Sequence, residues 1–305
     1  GTVVKTFKWV NAEPAEFSWN GTDDSDTQVF DGVYSYEIAA TDRAGNVSAQ
    51  TSITNIIYSA EKPATNIAIT GGKYFSPNGD NIKDIMAFAV TIPVPSSSVN
   101  SLVNWNISII DTKGTVYRNY TGTTTAPSSL EFDGYTDNGT LIPEGEYQAQ
   151  VTAKYSNGYE PQPINSPVFI MDITAPTAVV RVSEKTFSPD GDGNLDTITI
   201  SQDTSSEKEW LGKILDESGK TIKTYEMGEN ADASVVWNGI DDNGKLTADG
   251  IYFYQISATD MAGNSTVAVT DTFILDTSKT EIILTASLDA FSPKNNKILD
   301  TITFT

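Results

Sequence analysis

Between Phe187 and Ile200 the chain reads FSPDGDGNLDTITI, and four side chains offer oxygen at alternate positions: Asp190, Asp192, Asn194 and Asp196. Calcium takes six to eight oxygen ligands and suits carboxylates spaced this way on a tight loop. Gly191 and Gly193 lie between them and allow the backbone to curl so that the four oxygens converge. The plain alternative is a polar loop of Asx-turns. Three carboxylates held together without a cation repel one another, which favours the calcium reading. The stretch recurs as FSPNGDNIKDIMAF from Phe75, where Asn78, Asp80 and Asp84 remain and Ile82 takes the third ligand position. It recurs again as FSPKNNKILDTITF from Phe291, where Lys294 and Asn296 take the first two positions and an ammonium can replace the ion. Calcium is expected at the loops following Phe75 and Phe187 and not at the last. Asp172 and Asp276, in the stretches between repeats, are candidates to complete the shell. Asp84, Asp196 and Asp300 keep one position in all three copies, so bonding of loop amides is expected there too.

Around these loops the chain repeats itself. WNGIDDNGKLTADGIYFYQISATDMAGN from Trp237 aligns without a gap with WNGTDDSDTQVFDGVYSYEIAATDRAGN from Trp19, and FDGYTDNGTLIPEGEYQAQVTAKYSNG from Phe132 is a more diverged copy. Upstream, WNISIIDTKG from Trp105 matches WLGKILDESG from Trp210. The main variable stretch is PVPSSSVN from Pro93, a Ser/Pro run of the kind a surface loop tolerates. The expected division is 1–59, the C-terminal part of one domain; 60–172 and 173–277, two complete domains; and 278–305, the N-terminal part of another. The chain thus reads as part of a longer array whose incomplete ends expose strand edges open to pairing with another chain.

The elements that must hold the loops are strands. Tyr252, Tyr254, Ile256 and Ala258 alternate with period two, as do Tyr34, Tyr36, Ile38 and Ala40, and Tyr147, Ala149, Val151 and Ala153. Turn signals fall about every 8–12 residues, as DTKG at Asp111, DESG at Asp216, DDNG at Asp241, EG at Glu144 and DG at Asp249. The complete repeat at 60–172 gives about seven strands, near 66–70, 84–92, 103–111, 115–121, 129–133, 146–155 and 166–172. Such spacing predicts an all-β chain of tandem immunoglobulin-like sandwiches in an elongated array. Trp19, Trp105, Phe132, Tyr147 and Trp237 are expected in its cores.

The stretch from Gly219 to Asn264, with its W-N-G-x-D-D-x-G hairpin and following D-G-x-Y, resembles the Ig-like domain of the flagellar hook-capping protein, FlgD. That module also occurs in tandem in large bacterial surface and secreted proteins, and the F-S-P-D-G-D-G stretch resembles loops of surface-anchored bacterial Ig-like modules. The resemblance implies the sandwich fold and an extracellular or cell-surface setting. FDGYTDNG departs from the hairpin pattern, lacking the Trp and the first Asp, which speaks against chemistry by the hairpin aspartates.

Composition bounds the function. The 305 residues carry 40 Asp and Glu against 19 Lys and Arg, for a net charge of −21. That argues against nucleic acid, which needs basic residues, and against adsorption to anionic membranes. No apolar run is long enough to cross a bilayer. With no His and no Cys, the commonest general base, thiol nucleophile and transition-metal ligands are missing. The acidic residues that stand out recur with the repeat, whereas a catalytic site belongs in one copy. The sequence therefore predicts a non-catalytic stalk or adhesion-type repeat region, stiffened by calcium, whose partners are neighbouring Ig-like repeats and a cell-surface or protein partner. Two alternatives remain. One is an assembly scaffold, like the hook cap, pairing through strand edges and including head-to-tail self-association. The other is an ancillary carbohydrate-binding array of a secreted enzyme, using aromatics such as Trp9, Tyr135 and Tyr159.

Overall fold

The structure is a computed structural model that describes residues 1–12, 16–294, 297 and 299–305. Asn296, expected at the second ligand position of the last loop, lies outside the described residues. The chain divides into two compact units, Gly1–Thr174 with Met261–Asn264, and Ala175–Asp260 with Ser265–Thr305. No helix occurs among the described residues.

In the first unit, β1 (Gly32–Ile38) and β2 (Thr51–Tyr58) form an antiparallel pair. They are followed by β3 (Asn66–Ile69), β4 (Tyr74–Phe75), β5 (Met86–Thr91), β6 (Leu102–Asp111), β7 (Val116–Gly122), β8 (Ser129–Phe132), β9 (Gly145–Tyr155), β10 (Ile164–Asn165) and β11 (Phe169–Met171). These nine make a sandwich. One sheet runs β4-β11-β9-β6-β7 with β10 also on β9, and the other runs β3-β5-β8.

The second unit repeats this layout strand for strand. Its strands are β12 (Ala178–Val182), β13 (Thr186–Phe187), β14 (Ile198–Thr204), β15 (Trp210–Asp216), β16 (Thr221–Met227), β17 (Ser234–Trp237), β18 (Gly250–Thr259), β19 (Ser265–Val269) and β20 (Phe273–Leu275). The sheets are β13-β20-β18-β15-β16, with β19 on β18, and β12-β14-β17.

The period-two pattern holds in both sandwiches, while in β1 Tyr34, Tyr36 and Ile38 alternate only half-buried and Ala40 lies exposed beyond the strand. Tyr252, Tyr254, Ile256 and Ala258 are all buried on one face of β18, and Tyr147, Ala149, Val151 and Ala153 on one face of β9. The nine strands of each sandwich exceed the seven expected. Of the four added, β4, β10 and β13 have two residues each, too few to show a period, while β19 has five.

Most of the expected aromatics are core. Trp237, Phe132 and Tyr147 are buried, and Trp237 packs against Phe187 at 5.3 Å and Tyr252 at 5.1 Å between ring centroids. Trp105 is only partly buried, although Trp210, its counterpart in the repeat, is 1% exposed. The strand partner differs: Trp105 pairs with Gly122 and Trp210 with Met227. The Trp105 ring lies over Gly122 so closely that a Cβ there would meet it at 2.6 Å. Trp19 is likewise partly buried, edge-on to Tyr34 at 5.2 Å.

Candidate cation-binding loops

The first two loops hang from a buried phenylalanine, whereas Phe291 ahead of the third is 48% exposed. Phe75 and Phe187, 0% and 1% exposed, end short strands that run parallel to β11 and β20. The backbone then closes a ring: the Ser76 amide donates to the Lys83 carbonyl at 2.9 Å, Ser188 to Leu195 at 2.9 Å, and Ser292 to Leu299 at 2.7 Å.

Inside the ring every second residue has positive φ: Gly191, Gly193 and Leu195 at 82°, 87° and 52°, and Gly79, Asn81 and Lys83 at 84°, 68° and 54°. Alternating hand turns successive amides toward one point and makes an anion-binding nest. The anion is the chain's own carboxylate. Asp196 accepts from the Gly191 and Gly193 amides at 2.8 and 2.9 Å, one on each oxygen. Asp84 accepts from Gly79 and Asn81 in the same way, both at 2.8 Å, and Asp300 accepts from Lys294 and Lys297. The glycines therefore aim amides at the final aspartate, as well as allowing the curl.

On this frame Asp190, Asp192 and Asp196 offer carboxylate oxygens that all lie within 4.8 Å of one another. Asp190 and Asp192 are exposed and each caps the amide two residues on, Asp192 at 3.2 Å and Asn194 at 2.7 Å. Every carboxylate keeps lone pairs beyond these bonds. Three clustered carboxylates are a hard oxygen donor set of the kind calcium or magnesium takes, with water completing the shell. The Lys279 ammonium stands 3.6 Å from Asp190 and offsets part of the charge.

The loop after Phe75 is poorer. Asn78 and Asp80 cap the Asp80 and Ile82 amides at 3.0 and 2.7 Å, and the Asn78 side-chain amide donates to Asp80 at 3.2 Å. Asp276 is no member of the Asp190 cluster; its carboxylate takes the Ser278 amide and hydroxyl, and the hydroxyl foremost holds it below its ordinary pKa. Asp172 accepts the Thr174 amide at 3.0 Å.

The hairpin acids are turn caps. Asp241 accepts the Asn243 and Lys245 amides at 2.8 and 2.9 Å, and its pKa is lowered chiefly by the latter. Asp242 accepts the Thr224 amide at 3.2 Å, which lowers its pKa in turn. Asp23 and Asp24 do the same for Ser25, Thr27 and Thr6. In the diverged copy Thr136 takes over the first role, its hydroxyl accepting the Thr140 amide at 3.1 Å, while Asp137 accepts from Asn119. The sequence shows the first Asp lost but not that Thr136 keeps its role, because the residue type changes while its job does not. Of the aromatics considered for sugar stacking, Tyr135 is 37% exposed. Trp9 packs on Phe17 at 5.2 Å, and Tyr159 stacks on Tyr155 at 6.3 Å.

Strand order and loops together define tandem immunoglobulin-like sandwiches. Residues 185–262 match the family model of the FlgD Ig-like domain. No curated protein sequence matches the chain. Among solved structures it is similar to a tetra-tandem repeat in the extending region of a large adhesion protein, with 21% identity and a TM-score of 0.29 over 88% of this chain. The chain spans 62% of that repeat's length. It is also similar to a protein described for host cell surface retention of a 1.5-MDa bacterial ice-binding adhesin (16% identity, TM-score 0.39, 82% of this chain and 75% of that one). A third is the set of fibronectin(III)-like modules of Clostridium thermocellum CbhA (16% identity, TM-score 0.32, 69% and 94%). At these identities the likeness is one of fold alone.

Proposed function

We propose that the chain is a non-catalytic repeat region, a stalk or adhesion-type spacer of an exported bacterial surface protein, stiffened by calcium at the Asp190–Asp196 loop. One observation carries the reading: the acids that recur from copy to copy cap backbone amides of their own sandwich. Asp23, Asp111, Asp216 and Asp241 each accept two main-chain amides of a tight turn. Residues used this way build a durable module, and two modules of identical strand order lie in series along the chain. Asp190, Asp192 and Asp196 cap amides too, and in addition offer three carboxylates to one point.

Calcium there would cross-link the loop and tie it to the strands on either side. The absence of Cys allows a clean test, because introduced cysteines are the sole labelling sites. Spin labels on adjacent sandwiches should give a distance distribution that narrows with calcium and broadens with chelator. Equal widths under both conditions would remove calcium from the account.

A further inference from the structure

Glu144 and Asp249, which the sequence marks only by the EG and DG turn signals, and Asp31 at the matching place in the first copy, reach far along the chain. Asp31, Glu144 and Asp249 each precede the glycine that opens β1, β9 and β18. The turn holding them is locked from within, because the next tyrosine donates its hydroxyl to a carbonyl four residues back: Tyr34 to Phe30 at 2.5 Å, Tyr147 to Pro143 at 2.6 Å and Tyr252 to Ala248 at 2.6 Å. From this fixed turn each carboxylate accepts the amide of the second residue beyond the domain's last strand. Ala60 donates to Asp31 at 2.8 Å, Ile173 to Glu144 at 2.8 Å and Thr277 to Asp249 at 3.0 Å. A hydroxyl joins each pair: Ser59 to Asp31, Thr174 to Glu144 at 2.8 Å and Thr277 to Asp249 at 2.9 Å. These hydroxyls are the foremost cause of the lowered pKa of Asp31 and Glu144.

We propose that Asp31, Glu144 and Asp249 are linker clamps, positioning residues that fix the direction in which the chain leaves the β1–β2 pair and each of the two sandwiches. None of the three helps close a sheet, since the last strand of each domain is already paired up to its final residue. The bonded residues lie beyond those strands; in the two sandwiches they follow Asp172 and Asp276, whose amides donate to the Phe75 and Phe187 carbonyls at 3.1 Å, and the Asn264 side-chain amide donates to the Asp172 carbonyl at 3.0 Å. Charge-assisted bonds to a main-chain amide and a hydroxyl at one point hold both position and direction. The first linker has a further hold. Glu61 accepts the Ser96 amide and hydroxyl at 2.8 and 3.0 Å and the Ser97 amide at 3.3 Å, and the Asn157 side-chain amide donates to the Glu61 carbonyl at 2.8 Å. The Ser/Pro stretch from Pro93 thus serves as the receptor for a linker carboxylate.

The bearing of the clamps on stalk stiffness rests on the proposed function; the clamps themselves do not. The test uses the whole chain in chelator, with spin labels on the two sides of Thr174, together with amide exchange at Ile173. Glu144→Ala should at least double the width of the distance distribution and speed exchange at Ile173 about tenfold or more. Glu144→Gln should stay near the parent, because a single oxygen, Oε1, accepts both bonds and an amide oxygen can replace it. Thr174→Val, which removes only the hydroxyl, should fall between them and decides the matter if Glu144→Ala fails to fold. Parent width and parent exchange in Glu144→Ala, or in Thr174→Val where that variant decides, would overturn the proposal. Because calcium is excluded throughout, a wide Glu144→Ala distribution upholds the clamp even if calcium leaves the parent unchanged.

Discussion

The carboxylate of Asp196 lies across its loop from Gly191 and accepts that residue's amide hydrogen at 2.8 Å. Its other oxygen takes the Gly193 amide at 2.9 Å. The last acid of the cluster is therefore a structural anion of its own loop. Asp196→Ala should lower the melting temperature of the second sandwich by a few degrees in chelator, since two amides lose a charged acceptor. Asp192→Ala, whose carboxylate caps one exposed amide, should melt within about a degree of the parent under the same conditions. Calorimetric melts of both variants check this, and equal losses would contradict the division of labour.

Lys279 and any cation compete for Asp190. An ammonium 3.6 Å from a carboxylate at an exposed site interacts by about 1 kcal/mol or less once water and salt screen it. Lys279→Ala should therefore tighten calcium binding by about two- to fivefold at low salt, with the gain shrinking at high ionic strength. Isothermal titration at two salt concentrations measures both effects.

The hairpin turn accepts either chemistry that the repeats display. Thr136 and Asp241 hold equivalent turns, one with a hydroxyl and the other with a carboxylate. Asp241→Thr should keep most of the melting temperature, whereas Asp241→Ala should lose a few degrees. Melting curves of the two variants side by side provide the check.

Acid should loosen the modules in a defined window. Asp216, Asp241 and Asp242 sit below their ordinary value of 3.8, held there chiefly by the Ser218 hydroxyl, the Lys245 amide and the Thr224 amide respectively. A lowered folded pKa means that the unfolded chain binds protons first. The stability these groups supply is full above 3.8 and is lost as pH falls through the lower folded values. Relief of the −21 net charge acts in the opposite direction but is screened in 0.15 M salt. At that ionic strength the urea midpoint should stay level from pH 7 to about 5 and decline below about 4.

What the sequence displayed was the local and the periodic. Alternation along Tyr252–Ala258 marks a strand because each inward residue meets the core, and the Asp190 cluster is legible because its members lie within a few residues of one another. The nest was half legible: Asp84, Asp196 and Asp300 share a position, but only positive φ at Gly193 and Leu195 shows the amides converging on it. Features fixed by distant partners were hidden. Trp105 reads as a core tryptophan until Gly122 is seen opposite it. Asp31 reads as a turn residue until Ala60, far along the chain, is found donating to it. Two-residue strands carry no period and are fixed by their partners: β4 by β11, β10 by β9 and β13 by β20.

Calcium titration by calorimetry, on the parent chain and on Asp192→Ala, tests the central claim most directly. Saturable binding in the micromolar range or tighter, lost in the variant and accompanied by a higher melting temperature of the calcium form, is the predicted result. No heat and no shift in melting temperature would contradict it and return the loop from Asp190 to Asp196 to a self-capped turn.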